Sequence, residues 1–366
     1  MSDESIARKV LDLEKDFGAD ENDYEVVDRT IDLASRNLRK RESPSLRDLT
    51  MDLAFISSIF REIGFKEGEI TFFNKGLKSY ELDCASFSYL YLSIAEKVGL
   101  PITGVLVQEH IVLQGKIGDQ VFYWEPTEGR ISTIDGVLDG YNVHIDSFEK
   151  GVYLTPLNHN GLLSMANLNI GYCSYYSGNI ETAEEYTDRS LELNPNYSEA
   201  HHNKGLILLD KGQHEEARNS FNKSIELNPF YYAAFIHSAL LESGQGNYEE
   251  AMSLLRKAMD IDPNRCEAFG NMGSILSDLK RYDDALMITN RAISMSEGDF
   301  RLHNIRGEIY LRRGMPAEAI EDFDKAIEIN PSNSVIFSNR AEAYMKLGET
   351  DKAKADLAKA ESLGNE

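Results

Sequence analysis

The stretch HHNKGLILLDKGQHEEARNSFNKSIELNP (residues 201–229) decides the fold of the C-terminal half, because its pattern returns every 34 residues. An alanine recurs at this step six times from Ser164 onward, and no insertion breaks the register. A period of this length predicts an array in which each repeat is one pair of helices. The recurring alanines are Ala183, Ala217, Ala251, Ala285, Ala319 and Ala353.

Two further small positions in each repeat would let its two helices approach closely. Twelve residues before each alanine the sequence has Gly171, Gly205, Ala239, Gly273, Gly307 and Ala341. Seven residues after it are Ser190, Ser224, Ala258, Ala292, Ala326 and Ala360. A proline ends four of the repeats and prevents the second helix from continuing. These prolines are Pro195, Pro229, Pro263 and Pro331.

This pattern resembles the tetratricopeptide repeat family, whose unit is a helix-turn-helix with small residues and a final proline at these positions. The fourth repeat departs from it, with Glu297 in place of the proline. The resemblance implies an all-α superhelix over residues 164–366, preceded by a linker at 156–163. Its six repeats would be 164–197, 198–231, 232–265, 266–299, 300–333 and 334–366.

Asparagine recurs at the sixth position of the first helix in four repeats. An asparagine there can offer a donor and an acceptor to the backbone of an extended peptide, and in this family such asparagines often line the peptide groove. We therefore expect a peptide-binding groove, although asparagine also simply tolerates an exposed helical position. No column of Lys and Arg matches a clamp for a C-terminal carboxylate. The four asparagines are Asn169, Asn203, Asn271 and Asn339.

Charge and composition narrow the class of partner. The formal net charge of -23 would repel nucleic-acid phosphates and anionic lipids, so a protein or peptide partner is expected and neither nucleic acid nor membrane. The first residues contain no apolar signal region, and no apolar run is long enough to cross a membrane. The three cysteines lack CxxC spacing, which is typical of a reducing compartment. We expect a cytoplasmic protein without a cofactor.

Residues 1–155 lack the repeat and have a mixed α+β pattern. Helical periodicity comes first, and it includes a stripe of Phe87, Tyr91, Ile94 and Val98 that Cys84 begins. The segments ITGVLV, HIVLQ and QVFYWE then alternate as strands do. The sequence therefore predicts a helix that starts at a cysteine and is followed by a β-hairpin.

The hairpin would bring a histidine and an acid together. If Gly115 pairs with Gln120 around a four-residue loop, His110 lies directly opposite Glu125. Opposed residues have Cβ atoms about 4.5 to 5.5 Å apart, which is close enough for an imidazole to hydrogen-bond a carboxylate. The sequence would then supply a nucleophile (Cys84), a base and an orienting acid.

Activation of Cys84 would depend mainly on His110. A free thiol is only about 3% thiolate at neutral pH, and a helix N-terminus favours a negative charge by at most about 2 kcal/mol. Asp83 opposes even that, unless its carboxylate caps the helix. A thiolate–imidazolium pair must therefore supply most of the activation.

The segments DCASFSYLYLSIAEKVGLPITGVLV, EHIVLQ and FYWEPTEGR resemble the core of the transglutaminase-like superfamily, which has a papain-like fold. The branch most similar is the bacterial and archaeal one that carries this core ahead of tetratricopeptide repeats. The resemblance covers roughly residues 45–155 and implies Cys84 as nucleophile, His110 as general base and acid, and Glu125 as orienting carboxylate. Many members have glycine in place of Asp83, and aspartate is commoner in place of Glu125.

Several alternatives stay open at this point. The second oxyanion donor could come from Asn74, Lys78 or Tyr80. His144 is an alternative base, and a zinc site from Cys84, His110 and Glu125 is chemically possible but lacks a close-spaced ligand pair. For Cys173 and Cys266, packing is the expected role.

Two functions compete. The first is a cysteine-dependent amide hydrolase or acyl transferase, that is, a peptidase or a transglutaminase-like enzyme. Its repeats would recruit a protein or peptide. The alternative is a non-catalytic scaffold, in which the repeats and the papain-like domain both serve protein–protein interaction.

Overall fold

The computed structural model describes residues 5–38, 45–68, 73–79, 81–107, 110–141 and 153–364. The chain folds into two compact units, Met1–Tyr231 and Tyr232–Glu366. The first unit contains the mixed α/β region together with two helical repeats. The second unit contains helical repeats.

Helices come first in the chain. Apart from a short 3-10 helix at Lys15–Phe17, they are α1 to α5, and α2 and α3 each begin with a capping box that satisfies free backbone N–H groups. The central helix α5 begins at Cys84 and ends before Gly99, as the sequence predicts. The bounds are α1 (Ile6–Leu13), α2 (Glu21–Asn37), α3 (Leu46–Ile63), α4 (Phe73–Ser79) and α5 (Cys84–Val98).

A four-stranded antiparallel sheet follows α5. Its strands lie in chain order, and the helix α6 (Ile134–Gly140) comes after the last one. A separate parallel pair joins two short strands that flank α4. The strands are β1 (Lys66–Glu67), β2 (Glu81–Leu82), β3 (Ile102–Val107), β4 (His110–Ile117), β5 (Gln120–Glu125) and β6 (Arg130–Ser132).

The register of the β4–β5 hairpin differs by two residues from the expected one. Ile117 pairs with Gln120, whereas the sequence analysis paired Gly115 with Gln120. The turn is tighter because Gly118 adopts a φ of 59°, which a two-residue hairpin turn needs at its first central position. The prediction that His110 lies directly opposite Glu125 is therefore wrong. A slip of two residues keeps both side chains on one face of the sheet, where they are diagonal neighbours.

The core of the first unit lies between α5 and the sheet. Nearly every side chain of α5 from Ala85 to Ala95 is buried, as expected for a helix that is covered on all sides. Tyr91 is fully buried, and its ring packs edge-on against Phe60 of α3 at 4.9 Å between centroids. This packing fixes the start of α5, and with it the position of Cys84.

The first repeat shares this core. Its first helix α7 begins at His159, inside the segment treated as a linker, because Asn158 caps it through the Gly161 N–H at 2.9 Å. Leu162, Tyr197 and Ala200 belong to the same buried cluster as the apolar residues of α5. The repeat helices of this unit are α7 (His159–Tyr176), α8 (Ile180–Leu193), α9 (Ser198–Asp210) and α10 (His214–Leu227).

The N-terminal segment also contacts the first repeat. The Tyr186 hydroxyl donates to the Leu13 carbonyl at 3.0 Å, and Phe17 packs edge-on against the Tyr186 ring. The helix α1 also contacts α5, since the Ala7 N–H donates to Ser93 Oγ at 3.0 Å. These contacts make α1 a bridge between the central helix and the repeats of the first unit.

The second unit is all-helical and keeps the predicted step of 34 residues. The small positions let its paired helices approach: Ala285 and Ala319 are fully buried, and a Cβ at Gly307 would lie 2.6 Å from Phe323 Cε1. The C-terminal part is thus the expected all-α repeat array. Its helices are α11 (Tyr232–Gly244), α12 (Tyr248–Ile261), α13 (Cys266–Asp278), α14 (Tyr282–Met295), α15 (Phe300–Arg313), α16 (Pro316–Ile329), α17 (Ser334–Leu347) and α18 (Thr350–Gly364).

Candidate functional site

Cys84 is the first residue of α5 and is partly buried. The preceding Asp83 is the N-cap: its buried carboxylate accepts a hydrogen bond from the Ser86 N–H at 2.7 Å. The Asp83 carboxylate therefore caps the helix, and in this role it opposes a thiolate at Cys84 less than an uncapped carboxylate would. The arrangement leaves the Cys84 side chain at the positive end of the helix.

His110 and Glu125 form a close pair on the sheet. The His110 Nε2 atom lies 3.1 Å from each carboxylate oxygen of Glu125. The two side chains are 16% and 5% exposed, so water has little access to the pair. Cys84 is a further neighbour of His110 and contributes to the electrostatics of the pair.

The electrostatics of the pair favour an imidazolium beside a carboxylate. Burial lowers the pKa of His110, but hydrogen bonds to Cys84 and Glu125, together with their negative charges, raise it to about 10. Burial also raises the pKa of Glu125, yet the hydrogen bond and charge of His110 outweigh it and hold that pKa below its ordinary value. The site thus stabilises a positive charge next to the thiol.

Two further residues hold Glu125, and sequence analysis did not find either. The Thr127 hydroxyl donates to Glu125 Oε1 at 3.0 Å, and its position two residues after Glu125 in EPT was the available signal. The Tyr141 hydroxyl donates to Glu125 Oε2, and the Tyr141 ring stacks on His110 with 4.3 Å between centroids and 18° between planes. No sequence pattern points to Tyr141, because it follows a helix that only the tertiary fold brings here.

The candidates for a second oxyanion donor are placed as follows. Asn74 is buried, and its backbone N–H donates to Glu14 Oε2 at 2.7 Å while its side chain donates to the Phe17 carbonyl at 3.3 Å. The Lys78 ammonium donates to the Gly18 carbonyl and pairs with the carboxylates of α2 and its cap. Both residues are thus engaged elsewhere. Tyr80 and the alternative base His144 lie outside the described residues.

The other two cysteines are packed inside helices. Cys173 packs against Ile170 and Tyr186, and burial raises the pKa of its thiol to about 11. Cys266 packs beside Phe269, and burial raises its thiol pKa as well. Both thiols are therefore poor nucleophiles near neutral pH.

The described part of the chain bears on both a metal site and a membrane span. In that part, His, Cys, Asp and Glu side chains form no group of three that could hold a metal ion. Likewise, no helix among the described residues is both long and apolar enough to span a bilayer.

The four groove asparagines have different surroundings. In the first unit Asn203 is only 3% exposed and donates to Thr187 Oγ1 at 2.7 Å, and Asn169 lines a small cavity beside Glu14 and Asp83. The expectation of an amide that faces an open groove therefore differs from the structure at Asn203, which is buried, whereas the Asn169 side chain is only partly buried. In the second unit the Asn271 side chain is partly buried.

In the second unit, a polar cluster surrounds Asn339, the last of the four asparagines. The Asn339 amide donates to Asn304 Oδ1 and to Glu308 Oε1, each at 3.0 Å. Burial raises the pKa of Glu308 above its ordinary value, against the lowering effect of the Asn304 hydrogen bond. Arg312 pairs with Asp278 one repeat away. Sequence analysis missed Asn304 and Glu308, which do not form a column.

Comparisons with known proteins describe the repeats. Models of the tetratricopeptide repeat match residues 166–197, 186–219, 243–309, 300–333 and 323–355. No curated protein matches the chain. These matches support the protein-interaction hypothesis better than the enzyme hypothesis, because what they describe is the array.

Solved structures similar to the chain include two that are described as tetratricopeptide repeat proteins. The Cut9–Hcn1 hetero-tetramer of the APC/C is 14% identical, with a TM-score of 0.50 over 55% of this chain and 40% of that one. A thermophilic repeat protein of Thermus thermophilus is 22% identical, with a TM-score of 0.45 over 50% of this chain and 99% of that one. YrrB, described as having an unusual peptide-binding site, is 24% identical, with a TM-score of 0.36 over 50% and 93%.

At these identities the similarity shows the fold alone. The family-model matches and the alternating helices identify the repeats that the sequence predicted. The C-terminal part of this chain is an array of tetratricopeptide repeats.

Proposed function

We propose that the chain binds a protein or peptide through its tetratricopeptide repeats. The observation that supports this most directly is the array itself, which the family models match from residue 166 to residue 355 with one gap. Repeat arrays present extended surfaces that suit extended ligands. The net charge of -23 favours a basic or neutral partner.

In the second unit, the polar cluster of Asn304, Glu308 and Asn339 is our candidate contact surface, with Asn271 as a further amide. Amide side chains can satisfy the donors and acceptors of a peptide backbone, and Glu308 would favour a basic side chain. Asn203 contributes less, since its side chain is buried and its amide donates to Thr187 Oγ1, while Asn169 is partly buried and is a further candidate in the first unit.

The test uses peptides selected from a random display library on the full chain, with affinity measured by fluorescence polarisation. Asn271→Ala combined with Asn339→Ala should weaken binding about tenfold, because each lost hydrogen bond costs about 0.5 to 1.5 kcal/mol. Asn222→Ala, an exposed asparagine on a second helix, is the matched control and should bind as the parent does. Equal affinity of the double variant would refute this contact surface.

We propose a second function because His110 hydrogen-bonds Glu125 and interacts electrostatically with Cys84, which is the order of a catalytic triad. In this proposal the N-terminal region is a transglutaminase-like, papain-like domain. The Cys84 thiolate attacks a carbonyl carbon, and the His110 imidazolium gives its proton to the departing group. Water or an amine, deprotonated by His110, then attacks the thioester, and the Cys84 thiolate leaves.

The experiment is the rate of Cys84 alkylation by iodoacetamide as a function of pH, followed by peptide mass spectrometry so that Cys173 and Cys266 are counted separately. In the parent chain the alkylation rate of Cys84 should reach its plateau well below pH 8, whereas an ordinary thiol titrates at about pH 8 to 9. His110→Ala should move the midpoint into that range. Identical profiles for the two chains would exclude the thiol chemistry and leave the interaction function alone.

A further inference from the structure

Tyr141 contacts both partners of the histidine–carboxylate pair. Its ring lies nearly parallel to the His110 ring, with 4.3 Å between centroids and 18° between planes. Its hydroxyl donates to Glu125 Oε2, while the Thr127 hydroxyl donates to the other oxygen. One side chain thus touches the base and the acid at the same time.

The backbone of Tyr141 is held by α6. Tyr141 is the C-cap of that helix, and its N–H donates to the carbonyl oxygens of Val137 and Asp139. The helix packs onto the sheet through Val137 and Leu138, which are buried in one cluster with Val112. Because α6 is anchored in this way, the ring of Tyr141 is positioned over His110 before any ligand arrives.

Tyr141 and Glu125 both line a small cavity. The cavity has a volume of about 140 Å³, and its other lining residues include Trp124, Glu128 and Arg130. The His110 and Glu125 side chains are only 16% and 5% exposed, so water has little access to the charged pair. An ion pair from which water is excluded is stronger than one in water.

We propose that Tyr141 is a positioning residue for the thiol chemistry, which holds the His110 imidazolium by its ring face and the Glu125 carboxylate by its hydroxyl. The inference rests on the second proposed function. The face of an aromatic ring carries partial negative charge and attracts a cation that lies over it. Stacking therefore favours the protonated imidazole, and hence the thiolate of the pair.

Other charged groups face this cluster and set the background against which Tyr141 acts. They are Cys84 on α5, Glu125 on β5, Glu128 in the following turn and Arg130 on β6. Arg130 is already paired with Glu128. Replacement of Tyr141 by an uncharged side chain leaves all of these residues in place, so the ring and its hydroxyl can be tested separately.

The test measures the pH midpoint of Cys84 alkylation in the full chain. Tyr141→Leu removes ring and hydroxyl and should raise the midpoint by about half to one pH unit. Tyr141→Phe keeps the ring and should shift it less. Tyr123→Phe is the matched control, since Tyr123 lines the same cavity but its hydroxyl contacts Gln114, and its midpoint should equal that of the parent.

A second measurement covers the case in which Tyr141→Leu does not fold. Replacement of Tyr141 by pentafluorophenylalanine preserves the shape of the Phe variant but removes the negative charge of the ring face. The midpoint should then be higher than in Tyr141→Phe. Equal midpoints in these two variants, or an unshifted folded Tyr141→Leu variant, would overturn the proposal.

The same experiment separates two failures. If the parent has a low midpoint that His110→Ala raises, but the Tyr141 variants do not move it, only the role of Tyr141 is overturned. If the parent and His110→Ala share an ordinary thiol profile, the thiol chemistry itself is overturned, and the role of Tyr141 with it.

Discussion

The effects of Gly307→Ala and Phe323→Leu on the free energy of unfolding should depend on each other, because the small residue of a repeat and the side chain that faces it share one space. A Cβ at residue 307 would lie 2.6 Å from Phe323 Cε1 and 2.8 Å from Cδ1. Ordinary carbon contacts are about 3.5 to 4.0 Å, so the overlap is about 1 Å. Phe323 is fully buried and cannot move aside.

The expected size of the effect follows from this overlap. Overpacking of a buried site costs about 1 to 3 kcal/mol, and the higher helix propensity of alanine offsets up to about 1 kcal/mol of that. Gly307→Ala alone should therefore lower the free energy of unfolding by up to about 2 kcal/mol. Phe323→Leu alone should lower it by about 1 to 2 kcal/mol, because it leaves a cavity.

The free energy of unfolding of the double variant should be at least about 1 kcal/mol higher than the two single effects would give if they added. The reason is that the new methyl group occupies space that the ring vacated. The third repeat already has this combination, with Ala239 and Leu255 at the two positions. Urea denaturation followed by far-UV circular dichroism measures all four proteins in the full chain.

The matched control is Gly244→Ala, at a helical glycine where a Cβ would meet nothing within 4 Å. This variant should be neutral or slightly stabilised. If it loses as much stability as Gly307→Ala, or if the effects at 307 and 323 simply add, the close approach of the two helices does not explain the glycine.

Three further predictions concern the pair, the turns and pH. Glu125→Gln should raise the pH midpoint of Cys84 alkylation by about one to two units, since it removes a charged hydrogen bond worth about 1.5 to 3 kcal/mol; Glu25→Gln, at an exposed carboxylate on α2, is the control and should leave it unchanged. Lys280 has a φ of 61° in a turn where the other repeats have glycine, so Lys280→Gly should raise the free energy of unfolding by about 1 kcal/mol in urea denaturation, and Gly314→Lys should lower it. The raised pKa of His110 means that its contribution to stability is complete below its unfolded value of 6.5 and is lost as pH rises through about 10. His110→Gln should remove that part of the pH dependence, and an unchanged slope between these pH values would contradict it.

Some features were predictable from the sequence because they depend on local spacing. The repeats are of this kind: Gly205 and Ala217 are required wherever two helices of one hairpin touch, so the same types recur at a fixed step. The start of α5 was also predictable, since Asp83 followed by an amphipathic run is an N-cap pattern.

Other features depend on the tertiary fold. The hairpin register was missed by two residues because the tight turn relies on the positive φ of Gly118, and the hydrophobic alternation is the same for both registers. Tyr141 reaches His110 only through the packing of α6. Asn203 is buried against the neighbouring repeat, where its amide donates to the Thr187 hydroxyl.

Tyr197 and Ala200 belong to the same buried cluster as the apolar residues of α5. Arrays of this kind change length in evolution by duplication or loss of whole repeats, and an engineer can do the same where neighbouring repeats are interchangeable. The first junction of this array is not interchangeable, because Tyr197 at the end of the first repeat and Ala200 at the start of the second both pack into the core beside Cys84. Any transplantation of the N-terminal region into another protein must therefore carry residues through Ala200, and swaps at this end of the array will be tolerated only with that piece intact.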